Sequence, residues 1–202
     1  MARCDRVDLG ARGFYATPGV DFNRETGRGN PFHYYTQGAA VAEVEIDRFT
    51  GQPTVRRVDL LIDIGRSINP GVDMGQITGG FIQGMGWVTN EALSYSESGE
   101  LLSHSPTTYK IPVTTDVPPV SNYNPYDNSD NSQNLYCSKA VGEPPLMLAL
   151  SVWAAAKNTL SFVAPHKLSD LRVPATGEEI LRSLVALNSL REYVPEIGDS
   201  KR

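Results

Sequence analysis

Apolar and polar positions first fall into a period of two. Ala42, Val44 and Ile46 alternate with Glu43, Glu45 and Asp47. Successive strand side chains point to opposite faces, so this alternation predicts a half-buried strand. Phe49-Thr50-Gly51-Gln52-Pro53 then carries turn residues. A second alternation sets Val58, Leu60, Ile62 and Ile64 against Arg57, Asp59, Leu61 and Asp63. Two such runs around one turn predict an antiparallel hairpin.

The period then changes. Residues 65–75 read as a loop, and Gln76 to about Leu93 reads as a helix with Phe81, Met85 and Val88 on one face. Residues 113–134 hold Pro118-Pro119 and a run of Asn, Asp, Ser and Tyr, which predicts a polar surface loop. A helix is expected to open at Gly142-Glu143-Pro144-Pro145, because proline is tolerated in a first turn whose amides lack partners. The stretch from Leu146 to Ala156 is apolar nearly all round, so this helix is expected to be buried. A last helix starts near Thr176, with Glu179 completing a capping box and Ile180, Leu181, Leu184 and Leu187 as its apolar stripe. Residues 1–38 show no clean period and read as an irregular arm. Strand signals followed by helix signals, without an internal repeat, give an α+β fold: an antiparallel hairpin or sheet packed against Gly-rich and apolar helices.

Composition narrows the classes. The 202 residues include 40% hydrophobic ones, enough to bury a core. Eighteen Lys and Arg against 23 Asp and Glu leave a net charge of −5, which argues against a general nucleic-acid binder. Cys4 and Cys137 cannot form a disulfide framework or a four-thiolate zinc site. The Leu146–Ala156 stretch falls short of the about 20 apolar residues that span a bilayer. The N-terminus has no apolar leader core. A soluble cytoplasmic protein without a membrane partner is the expectation.

Five glycines, Gly75, Gly79, Gly80, Gly84 and Gly86, sit inside the first helical pattern. Each costs about 1 kcal/mol relative to Ala. Spacings of four leave a face without side chains, which serves tight helix packing or the close approach of a ligand. In Gly75-Gln76-Ile77-Thr78-Gly79-Gly80, backbone amides at a helix N-terminus would attract an oxo or phosphate group. Gln76 adds a donor and an acceptor. The G-x-G-x-x-G pattern and a ribose-binding carboxylate are missing, which argues against a Rossmann-type dinucleotide site. Glu143, at the start of an apolar helix, would have its pKa lowered by the helix dipole and raised by burial. It could serve as a general base or as a plain helix cap. His33, His104 and His166 show no metal-ligand spacing, so no metal ligand is expected from this chain. No G-x-S-x-G elbow appears, and Cys137 has no histidine partner that the sequence locates.

Four stretches then converge. They are Asp63-Ile64-Gly65-Arg66-Ser67-Ile68-Asn69-Pro70 through Gly75-Gln76; Gln83-Gly84-Met85-Gly86; Thr107-Thr108-Tyr109-Lys110-Ile111-Pro112; and Ser138-Lys139-Ala140-Val141-Gly142-Glu143-Pro144-Pro145. In this order and spacing the chain resembles the xanthine dehydrogenase family, at the C-terminal end of its molybdenum-cofactor-binding subunit. The resemblance covers roughly residues 13–163.

The resemblance implies a molybdopterin-binding domain: 1–38 as an arm, 39–165 as the C-terminal molybdenum-cofactor-binding region, and 166–202 as a terminal helix and tail. It implies that Glu143 is the catalytic glutamate, taking the proton from a hydroxide on molybdenum so that the oxygen attacks a purine such as xanthine or hypoxanthine. It implies that Gln76 hydrogen-bonds near the molybdenum–oxo end and that Gly75 and Gly79 admit the molybdopterin. Lys139 is expected to help order the Glu143 loop. The 2Fe-2S clusters and FAD would lie elsewhere, so the remainder of the molybdenum subunit and an iron–sulfur/FAD subunit are the implied partners. The family's substrate clamp has no counterpart here, so the chain is expected to be a piece that is inactive alone. An aldehyde oxidase-like or other molybdenum hydroxylase, or a non-catalytic interface piece, are the competing readings.

Overall fold

The computed structural model describes residues 8–165 and 167–189. It divides into two compact units, Met1–Tyr35 and Thr36–Arg202. The first unit carries a short antiparallel ribbon, β1 (Asp21–Asn23) and β2 (Arg28–Asn30), with Asp21 opposite Asn30. The Asn23 side chain accepts from the amides of Glu25 and Thr26 at 2.9 and 3.0 Å and shapes the turn. Regular pairing therefore exists inside the stretch expected to be irregular.

The second unit is built on β3 (Gly38–Ile46) and β4 (Pro53–Asp63), the expected antiparallel hairpin. Val58, Leu60 and Ile62 are at most 2% exposed, whereas Leu61 on the opposite face is 47% exposed. The period of two thus marks the inward face along residues 58–62, whereas Asp63, at the end of the expected outward set, is buried. A third strand, β5 (Val120–Tyr126), pairs parallel with β4 on its other edge. This corrects the reading of 113–134 as loop throughout. Pro125 and the Asn residues hid the strand, and an edge position tolerates them. Tyr123 of β5 tilts against Phe81, with ring centroids 5.8 Å apart.

Helix α1 spans Pro70–Thr89. It begins six residues before the sequence expectation and stops four short of Leu93. Asn69 caps it by accepting from the Val72 amide at 3.3 Å, and Pro70 occupies the first turn. Its Ile77, Phe81, Met85 and Val88 join the inner face of β4 in the main core. Burying each such side chain is worth about 1.5–3 kcal/mol.

The expected single helix after Glu143 is two: α2 (Pro144–Leu148) and α3 (Leu150–Ser161), meeting at Ala149. It is not buried all round. Pro145, Ala149, Val152, Ala156 and Leu160 face inward, while Met147 and Leu150 are 61% and 44% exposed. A break at Ala149 lets α2 lie on α1 and α3 lie on β3. Helix α4 (Gly177–Ser189) closes a second core with α3 through Ile180, Leu184 and Leu187. Leu181 is only half-buried. Thr176 Oγ1 accepts from the Glu179 amide at 3.2 Å, the first half of the capping box. The Glu179 carboxylate instead accepts from the Arg172 amide at 3.3 Å. His166 lies outside the described residues, as do 190–202 of the tail. The fold is α+β, with the helices stacked on a mixed three-stranded sheet.

Candidate active site

Two glycines decide how α1 and α2 meet. Gly84 lies directly against the Leu146 carbonyl, and a Cβ there would also sit 2.9 Å from Ala149 Cβ. A Cβ on Gly80 would lie 3.3 Å from Pro145 Cβ and 3.4 Å from the Gly142 carbonyl. These two positions carry the packing reading of the glycine stripe. Gly86 is hemmed in by Glu91 and Pro112. There Tyr109 donates to Glu91 Oε2 at 2.6 Å, and that bond raises the Tyr109 phenol above its ordinary value.

Gly75 and Gly79 differ. A Cβ on either would meet nothing within 4 Å, and both are exposed. Between them projects Gln76, whose Oε1 would be 3.8 Å from a Cβ built on Gly142. The N-terminal half of α1 therefore presents a bare backbone face with one amide side chain, directly beside the start of α2.

Glu143 occupies the N-cap position of α2 with φ −95° and ψ −38°, yet its side chain makes no cap hydrogen bond. The plain capping role is not realised. The side chain is exposed, which corrects the expectation that it is buried at the start of an apolar helix. A second expectation also changes. Because α1 starts at Pro70, the amides of 75–80 lie in the helix interior, where they bond four residues back. They are not free to hold an anion, and Gln76 is the polar donor of this face.

The chain leading into Glu143 is tied to the end of β4. Lys139 N donates to the Ile64 carbonyl at 2.8 Å, and Arg66 N donates to the Cys137 carbonyl at 3.1 Å. Gly65, at φ +64°, pairs with Ser138 and has no space for a Cβ against this segment. Tyr136 and Cys137 take φ of 53° and 60°, a region non-glycine residues seldom occupy. Asn131 and Asn134 side-chain amides donate to the Ser138 carbonyl at 2.7 and 3.0 Å.

Beneath this ladder lies a buried ion pair. Lys139 Nζ donates to Asp63 Oδ2 at 2.6 Å, with side chains 11% and 10% exposed. Gly65 N and Asn128 Nδ2 also donate to the Asp63 carboxylate, each at 2.8 Å. Burial opposes ionisation of Asp63, but the Lys139, Gly65 and Asn128 hydrogen bonds outweigh it and hold the carboxyl below its ordinary value. Sequence reading placed Asp63 among the outward polar positions of a strand. Its local signals are the Gly65 two residues on and its place at the head of the 63–70 stretch.

The larger recesses are elsewhere. Two, of about 560 and 590 Å³, flank Asn90, Lys110 and Asp116 at the C-terminal end of α1. That is about 20 Å along the helix from Gln76. Among the described residues, no group of three or more His, Cys, Asp or Glu converges as a metal site, and no helix is long and apolar enough to cross a membrane.

This α+β frame is that of a cofactor-binding domain. The chain belongs to the molybdopterin cofactor-binding domain family, whose model matches residues 1–118. That stretch includes Gly75, Gln76 and Gly79 and ends before Glu143. The chain is 42% identical over 191 residues to the xanthine dehydrogenase/oxidase of Felis catus, covering 91% of this chain and 14% of the relative. It is 43% identical to the xanthine dehydrogenase of Dictyostelium discoideum, covering 89% of this chain and 14% of the relative. The chain thus spans about one seventh of these relatives.

Among solved structures, the aldehyde oxidoreductase from Desulfovibrio gigas matches with a TM-score of 0.60 and 30% identity. The match covers 79% of this chain and 16% of that one. The carbon monoxide dehydrogenase from Oligotropha carboxidovorans shares the fold at a TM-score of 0.68 and 23% identity, over 77% of this chain and 19% of that one.

Among the described residues nothing lies within 4 Å of a Cβ built at Gly75 or Gly79, so this exposed stretch leaves space for a bound group. Gln76 can both donate to and accept from that group.

Proposed function

We propose that this chain is the C-terminal part of the molybdenum-binding portion of a hydroxylase that oxidises purines, xanthine or hypoxanthine among them. Residues 39–165 would form the cofactor-binding region, and 166–202 its terminal helix and tail. Gly75 and Gly79 bare the backbone to the molybdopterin, and Gln76 offers its side-chain amide to the molybdenum end. When bound, the cofactor would supply the oxygen-transfer and redox chemistry. Glu143 accepts a proton at a carboxylate oxygen, so the attacking oxygen becomes a stronger nucleophile. The observation that carries this reading is the placement of Gln76 beside Gly142, one residue before Glu143, on a face that no other described residue covers. The similarity to proteins named for xanthine supports the purine substrate.

Most of the enzyme must come from other segments. The iron–sulfur clusters and FAD would lie there, with the rest of the molybdenum-binding portion, in a cytoplasmic assembly. The 30% identity to an aldehyde oxidoreductase favours an aldehyde substrate as the second reading. Purifying the assembly that contains this chain and assaying xanthine and an aldehyde, with molybdenum measured alongside, separates the two. Turnover of neither substrate by a molybdenum-loaded assembly would overturn both.

A further inference from the structure

We propose that the Asp63–Lys139 ion pair is a positioning device that fixes the segment entering Glu143 to the end of β4 and thereby sets where Glu143 stands beside Gln76. This inference rests on the reading of Glu143 as the proton acceptor. Neither member of the pair is argued to touch substrate or cofactor; both act through the backbone.

The argument begins with what does not hold Glu143. Its side chain is exposed and makes no cap bond, so its backbone must set its place. That backbone is anchored on both sides. After it, Pro145 is fully buried and α2 is pressed onto Gly80 and Gly84. Before it, Lys139 is gripped twice by the same strand end. Its amide binds the Ile64 carbonyl and its ammonium binds the Asp63 carboxylate. Only residues 140–142 separate that anchor from Glu143.

The anchor is specific rather than generally adhesive. The Asp63 carboxylate collects donors from three places: the Gly65 turn, Asn128 after β5, and Lys139. A neutral or shorter side chain at 139 would leave a buried carboxylate without its cation. The two left-handed residues just before the pair, Tyr136 and Cys137, show that this path is held in place rather than relaxed. Loss of the pair would therefore release the entry to α2 while Pro145 kept its exit in place. The expected result is a misplaced carboxylate in an otherwise assembled site.

The test compares Lys139→Met, Lys139→Arg and Asp63→Asn with Glu143→Gln in the assembled enzyme. Hydrogen exchange of peptides spanning 64–66 and 137–143, turnover per bound molybdenum, KM and the pH profile of kcat are all measured. K139M is expected to speed exchange in both peptides about tenfold or more. It should lower kcat per molybdenum roughly 10- to 100-fold with KM little changed. The limb of the pH profile that reports the base should shift. K139R should recover most of the kcat and the protection.

Unchanged exchange in K139M overturns the proposal. So does faster exchange with unchanged kcat per molybdenum and an unchanged pH profile, which would make the pair merely structural. If K139M fails to assemble, Asn128→Ala withdraws a single hydrogen bond from Asp63. It should show the same pattern at about threefold, and a flat response there is equally fatal. Full activity in E143Q would instead sink the base reading. The exchange data would then still report whether the pair anchors the segment.

Discussion

Gly84 of α1 rests against the backbone carbonyl of Leu146 in α2, which leaves no space for a Cβ on Gly84. The contact is backbone on backbone. No side chain can rotate away to relieve it.

Gly84→Ala should therefore destabilise the fold. Overpacking a rigid contact costs about 1–3 kcal/mol, and the helix-propensity gain of Ala offsets at most about 1 kcal/mol of it. A lowered midpoint in urea denaturation of the chain checks this. An unchanged or raised midpoint would mean that α2 can lift off α1 freely.

Gly79→Ala should do the opposite. Its Cβ would meet nothing, so the chain should be unchanged or gain up to about 1 kcal/mol. In the assembled enzyme the same methyl group should reduce molybdenum content, because it would fill the bared face. Normal molybdenum content in G79A would remove that face from the cofactor site.

Glu143→Gln should lower kcat about 10²- to 10⁴-fold with molybdenum content equal to the parent enzyme. Gln76→Ala should cost less, because an orienting hydrogen bond is lost rather than the proton acceptor. A ranking in which Q76A is the more damaging would reverse the two roles.

The Asp63 carboxyl gives a pH dependence with a definite sign. Its folded pKa lies below the ordinary 3.8, so ionised Asp63 favours the folded state. That contribution is complete above the ordinary value and is lost as pH falls below it. Stability of the parent chain should drop on acidification below about pH 4 more steeply than that of Asp63→Asn. At neutral pH, D63N should be less stable by about 3 kcal/mol, since one partner of a buried pair is left behind. Parallel acid limbs in calorimetric titration would contradict the assignment.

Much of the fold was legible because its signals are local. The alternation through Val58, Leu60 and Ile62 tells which face of β4 is inward, since a strand's side chains must alternate. The spacing of Phe81, Met85 and Val88 does the same for α1. Ordered short motifs likewise point to the molybdopterin-binding family.

What escaped depends on neighbours far along the chain. Strand β5 has an unremarkable polar sequence and becomes a strand because the edge of β4 was free to accept it. The glycines of α1 look alike in sequence, yet Gly84 is filled by α2 and Gly79 faces open space. Asp63 and Lys139 are 76 positions apart, and only the folded chain brings them to 2.6 Å in a place water scarcely reaches. Sequence by itself therefore determined the periods, the turns and the family, because backbone geometry and residue type act over a few positions. Tertiary structure decided which glycines pack, where the apolar helix breaks and which donors surround the buried Asp63 carboxylate. Those outcomes depend on excluded volume and on burial of charge between distant segments, and neither exists until the chain has folded.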